Sequence, residues 1–181
     1  MLLISGRVKV DSKDDKDWTP LWFAIHKGRK AVIELLLKFG ADVKAVDDRG
    51  LTPVLSVITQ QLETRLQTLL ETSQVEVDAK NRGGETPLIM ASRCDYFVIA
   101  RLLLGIGKAR VDLTDQHGHS ALWWAIRNKG GAIASLLLGT GQFDVHTREN
   151  NGWSVLWWAT HTGHAGIIKL VRDYAAASED L

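Results

Sequence analysis

One cysteine in 181 residues, Cys94, excludes an intramolecular disulfide and suits a reducing compartment. Net charge is nearly absent as well, with 22 Lys and Arg against 21 Asp and Glu. Phosphate backbones are held by clustered, uncompensated cations, so nucleic acid is not an expected partner. No apolar run approaches the roughly 20 residues that span a bilayer, and no membrane insertion is expected. Met1-Leu2-Leu3-Ile4 lacks the length and charged leader of a secretion signal. An intracellular, cytoplasmic setting follows as the expectation, with the nucleus as the alternative. Six histidines and one cysteine do not assemble a metal site by spacing: His117-x-His119 and His161-x-x-His164 lack partner ligands. No glycine loop follows a strand to cradle phosphate. Catalytic residues, cofactors and metals are therefore not expected, and neither is an enzyme.

Proline is scarce too, and its placement is informative. All three prolines, Pro20, Pro53 and Pro87, follow a threonine. The anchors Thr19-Pro20-Leu21, Thr52-Pro53-Val54, Thr86-Pro87-Leu88, Ser120-Ala121-Leu122 and Ser154-Val155-Leu156 begin 33, 34, 34 and 34 residues apart. A period of that size means stacked supersecondary units, each unable to bury its apolar face alone. Such a solenoid offers a long surface rather than a catalytic cleft.

One unit can be read physically. Thr19 is suited to N-cap a helix, with Pro20 in the first helical position, where its missing N–H costs nothing. Leu21, Ala24 and Ile25 follow at helical spacing, and Gly28 ends the helix in a left-handed conformation. A second helix carries Val32, Ile33, Leu35, Leu36 and Leu37 and stops at Gly40. A polar loop then leads to Gly50, the turn glycine before the next anchor. Ala24, Ala91, Ala125 and Ala159 share one position and let neighbouring helices approach closely.

This pattern resembles the ankyrin repeat over nearly the whole chain. The family's D-x-x-G-x-T-P-L turn stands as Asp47 to Val54 and recurs as Asn81 to Leu88, Asp115 to Leu122 and Glu149 to Leu156. Its paired leucines are Leu36-Leu37, Leu69-Leu70, Leu103-Leu104 and Leu137-Leu138, and its Gly-His is Gly163-His164. The Trp-rich first helices and Gly141-Gln142-Phe143-Asp144-Val145 resemble the long ankyrin arrays of filamentous fungi. The resemblance implies an all-α solenoid of helix–turn–helix units joined by β-hairpin-like loops. The expected division is five repeats, 14–46, 47–80, 81–114, 115–147 and 148–181, making one domain. Residues 1–13 read as the remnant of a preceding repeat, because Gly6 precedes Thr19 as Gly107 precedes Ser120.

Departures set further expectations. Arg65 and Thr68 replace apolar residues of the second repeat, making it the weakest, since each large side chain buried is worth roughly 1.5–3 kcal/mol. Gln61, Asp95 and Lys129 replace the glycine between helices, and the turns at Asp95 and Lys129 are expected to be rearranged. The last helix is expected to be longer and more polar.

Function, on this resemblance, is recognition of a protein or peptide through the concave face and hairpin tips. The tip residues are Trp18, Leu51, Glu85, His119 and Trp153; the first-helix ends supply His26, Lys27, Arg93, Arg127 and His161. Trp18 and Trp153 are the sharpest candidates, the alternative for them being packing against a neighbouring tip. Two tryptophan columns accompany them. Trp22, Trp123 and Trp157 are the more natural core fillers, whereas Trp124 and Trp158 either line the groove or pack between repeats. Lys27, Arg93 and Arg127 form a mildly basic stripe or a merely solvated face. The alternative role is a structural or regulatory segment of a larger protein without its own partner, prone to self-association through an uncapped N-terminal face.

Overall fold

The computed structural model describes residues 9–72, 75–144, 146, 148, 150 and 152–179, the last two by backbone alone. Most of the expected remnant, residues 1–8, lies outside the described residues. Ten helices run through the described residues in five pairs. They are α1 (Pro20–His26) with α2 (Lys30–Lys38), α3 (Pro53–Thr59) with α4 (Glu63–Glu71), and α5 (Pro87–Arg93) with α6 (Phe97–Gly105). The series ends with α7 (Ala121–Arg127) and α8 (Gly131–Leu138), then α9 (Val155–His161) and α10 (Ala165–Glu179). Successive first helices pack side by side, as do the second helices from α4 onward, so the fold is an all-α solenoid.

Every first helix starts in the same way. The Thr19, Thr52 and Thr86 hydroxyls accept the N–H groups of Trp22, Leu55 and Ile89 at 3.4, 3.5 and 3.3 Å. Ser120 and Ser154 accept those of Trp123 and Trp157, both at 3.2 Å. The prolines occupy the first turn, where no donor is needed.

The inter-helix turns correct one expectation. Asp95 and Lys129 do not rearrange them: with φ of 57° and 60° they take the left-handed conformation of Gly28 (65°) and Gly163 (66°), and so does Gln61 at 54°. The residue after each of these first four turns donates its N–H to a carbonyl five residues back. The bonds are Arg29 to Ala24, Leu62 to Val57, Tyr96 to Ala91 and Gly130 to Ala125, at 2.8–3.0 Å. That helix-closing bond, with the stacking around it, outweighs the roughly 1–2 kcal/mol that a Cβ costs in this conformation.

The hairpin loops repeat as faithfully. Asp14, Asp47, Asn81 and Asp115 each accept, through Oδ1, the N–H groups two and four residues on, at 2.8–3.0 Å. Antiparallel bridges join Thr114 to Ser120 and Arg148 to Ser154. Gly84 is left-handed (φ 74°), and a Cβ there would lie 2.8 Å from the Gln116 backbone nitrogen of the next tip.

One core runs through all five pairs, built on Leu21, Leu55, Leu88, Leu122 and their neighbours. Arg65 is half-buried where Ile99, Ile133 and Ile167 are fully buried, so the second repeat contributes less apolar burial at that place. Helix α10 is 15 residues long, against 7 for α9.

Candidate recognition face

Each tip residue immediately precedes an N-cap. Its side chain therefore reaches the residue four further on, in the first helical turn, and that residue meets another four later at the helix end. This spacing of i, i+4 and i+8 builds a stack on α1, α7 and α9. In the first repeat Trp18 stacks on Trp22 at 5.5 Å between centroids, with Phe23 and His26 against its ring at 5.2 and 5.5 Å. In the fourth, His119 lies on Trp123 at 3.6 Å and the Arg127 guanidinium lies 5.0 Å from the same indole. In the fifth, Trp153 stacks on Trp157 at 4.0 Å and Trp157 on His161 at 3.6 Å.

The third repeat replaces the stack by an ion pair. Glu85 Oε1 lies 2.6 Å from Arg93 Nε, so the middle member of the expected basic stripe is matched by a carboxylate. Leu51 and Thr59 supply the corresponding positions of the second repeat, half-buried and exposed respectively. Lys27 is exposed and His26 half-buried. Burial chiefly, and then Arg65 and Lys27, hold the His26 pKa below its ordinary value.

The tryptophan columns divide by depth. Trp22 and Trp123 are fully buried, while Trp157 is half-buried. Trp124 and Trp158 are half-buried and pack against the core. The Trp124 indole donates to Asp115 Oδ2 at 3.0 Å, and both Arg93 and Arg127 lie over its ring, at 5.9 and 5.4 Å. Trp158 stands edge-on to Trp123 at 5.4 Å, linking repeats four and five. Burial opposes the charge on Asp115, yet the N–H groups of His119 and His117 and the Trp124 indole hold its pKa below the ordinary value.

Trp18 and Trp153 thus pack on the first helix of their own repeat. Trp153 keeps 43% of its surface exposed. The sequence placed Trp157 among the core fillers and did not single out Asp115, and these two residues hold the stacks in place. The signal for Trp157 was the i, i+4 relation across the N-cap, from the tip residue Trp153 to the third helical position. Among the described residues no group of His, Cys, Asp and Glu could hold a metal ion, and no helix is long and apolar enough to cross a membrane.

Stacked helix pairs with capped first helices and hydrogen-bonded tips define a repeat solenoid. A family model described as three copies of ankyrin repeats matches residues 99–180, and a single ankyrin repeat model matches residues 16–48, together more than half of the chain. The chain belongs to the ankyrin repeat family. Rabankyrin-5 of Mus musculus is 33% identical over 87 residues, 48% of this chain and 7% of that protein. The probable palmitoyltransferase AKR2 of Saccharomyces uvarum is 46% identical over 46 residues, 25% of this chain and 6% of that protein. The chain spans less than a tenth of the length of these relatives. The crystal structure of the ankyrin repeat protein EF0377 superposes with a TM-score of 0.80 at 25% identity, covering 96% of this chain and 89% of that one. Ankyrin repeats are generally modules of protein–protein interaction without enzymatic activity.

Proposed function

We propose that the repeats at 14–46, 47–80, 81–114, 115–147 and 148–181 act as one recognition domain. It binds a protein or peptide through the tips and first-helix ends, in a cytoplasmic or nuclear setting, without catalysis, cofactor, nucleic acid or membrane insertion. The single observation that carries this reading is the set of stacks on α1, α7 and α9. They hold indoles and cations in fixed orientations at the groove, so little side-chain entropy is lost when a partner settles on them. Trp and Arg of this kind are the usual anchors of interfaces. Trp124, Trp158, Arg127, His161 and the tip Trp153 form the richest part of the surface, with Trp18, His26 and Lys27 at the other end. Leu51, Glu85, Arg93 and His119 complete the row between them.

A random dodecapeptide library displayed on phage, selected against the purified chain, tests the reading. Peptides enriched on the wild type should bind Trp153→Ala and Arg127→Ala at least about tenfold more weakly, the loss expected for an anchor worth 1.4 kcal/mol or more. Enriched peptides that bind both variants as they bind the wild type would place recognition elsewhere.

A further inference from the structure

Four positions of the repeat face the preceding repeat, as the contacts of repeats two and five show. Arg65 reaches back to Gly28, its Nε 3.5 Å from where a Cβ there would lie. Thr68 lines a crevice with Lys30, Glu34 and Leu37 of the first repeat. Trp158 packs on Trp123, and the Tyr174 hydroxyl donates to the Phe143 carbonyl at 3.0 Å. In the first repeat these same positions are Val32, Leu35, Phe23 and Phe39. All four are large and apolar, and they are 45%, 46%, 42% and 38% exposed. They make up half of the eight exposed large apolar side chains among the described residues. Elsewhere the positions are covered, with Ile99, Ile133 and Ile167 fully buried and Leu102, Leu136 and Leu170 half-buried; Ile106, in register with Phe39, is the exception.

The other end of the stack is finished differently. Ile25, Ile58, Ser92 and Ile126 share one buried position of the first helices, and the half-buried Thr160 takes that place in the last one. The buried Leu37, Leu70 and Leu138 and the half-buried Leu104 share one position of the second helices, which the exposed Arg172 takes in the last one. A terminal repeat of a solenoid needs a polar outer face. Thr160 and Arg172 give one to the C-terminal end, whereas Phe23, Val32, Leu35 and Phe39 deny it to the N-terminal end. The polar end is also a poor mate for the apolar one, which argues against head-to-tail stacking of copies.

We infer that the face formed by Phe23, Val32, Leu35 and Phe39 is an internal repeat–repeat interface, seated by a further ankyrin-type helix pair of the same polypeptide. The occupant's chemistry is read from within the chain, where faces at the same positions are covered by just such a pair. Val32, Leu35 and Phe39 lie on or at the end of α2, away from the first helices that carry the stacks, while Phe23 also touches the Trp18 ring; the inference stands whether or not the stacks bind a peptide.

The test extends the full chain. Residues 81–102 joined in front of Leu2 complete one repeat in register, because Leu2-Leu3 stands to Gly6 as Leu103-Leu104 stands to Gly107. The extended chain should melt in one transition about 5 °C or more above the original, given the few degrees that each added unit of interface energy brings at this size. Leu35→Arg should abolish that gain while shifting the original chain by less than about 1 °C, because the residue is exposed there. A separate, lower transition for the added repeat, or no gain, would overturn the inference. So would sedimentation of the original chain as a dimer that Leu35→Arg converts to a monomer, since a second copy would then be the occupant.

Discussion

His119 lies flat on Trp123, with ring centroids 3.6 Å apart and planes 8° from parallel. Burial foremost lowers the pKa of His119; Asp115 opposes this, and His117 and Arg127 add to it. The folded chain therefore binds this proton less readily than the unfolded chain. The stabilisation is full above the ordinary value of 6.5 and is lost as pH falls through the lowered folded value. Melting at pH 7.5 and pH 5.0 should show a smaller acid loss for His119→Phe than for the wild type. Some loss should remain, because His26 is shifted in the same direction. Equal losses in the two proteins would show that the stack does not couple to protonation.

Asp115 joins a tip to the groove by accepting three N–H groups, from His117, His119 and the Trp124 indole, at 2.8, 2.9 and 3.0 Å. Asp115→Ala leaves those donors without their acceptor and should cost about 2–3 kcal/mol in urea unfolding. Asp115→Asn should cost less, since Asn81 makes the same backbone bonds with its Oδ1 in the third repeat. An alanine variant as stable as the asparagine one would mean that the carboxylate holds nothing together.

Lys129 is exposed and left-handed at φ 60°. Lys129→Gly should stabilise the chain by about 0.5–1 kcal/mol, the relief of Cβ strain less the entropy that glycine adds to the unfolded chain. Gly163→Ala, at φ 66°, should shift stability the other way by a similar amount. Denaturant midpoints moving in the same direction for both would refute the turn assignment.

Gly84 carries two constraints at once, a left-handed φ and the approach of the Gln116 backbone. Gly84→Ala should therefore cost more than Gly163→Ala, about 2 kcal/mol or above, because Gly163 has open space around its missing Cβ. Comparable costs at the two sites would mean that the tips do not hold one another.

The Thr-Pro caps, paired leucines and turn glycines were legible in the chain because each is a local solution repeated in phase. Asp95 and Lys129 were misread as disturbed turns, since their left-handed conformation, which Gln61 shares, is imposed by the packed helices on either side rather than by their own preference. The groove was half legible. Column positions located Trp18, Trp153 and Arg127, but columns run between repeats, whereas the stacks run within one helix at i, i+4 and i+8. The Glu85–Arg93 pair was hidden for the same reason, its partners having been assigned to different rows. The exposed first-repeat face could be recognised only when burial at equivalent positions was compared.

The central claim is that partners meet the stacked aromatics of the concave face, and the seven tryptophan indole N–H signals report on it directly. Titration of the ¹⁵N-labelled chain with a library-selected dodecapeptide should shift the indoles of Trp124, Trp153, Trp157 and Trp158, while Trp22, buried with its N–H on the Ala45 carbonyl, stays in place. Saturable binding that leaves all four indoles unmoved would contradict the account.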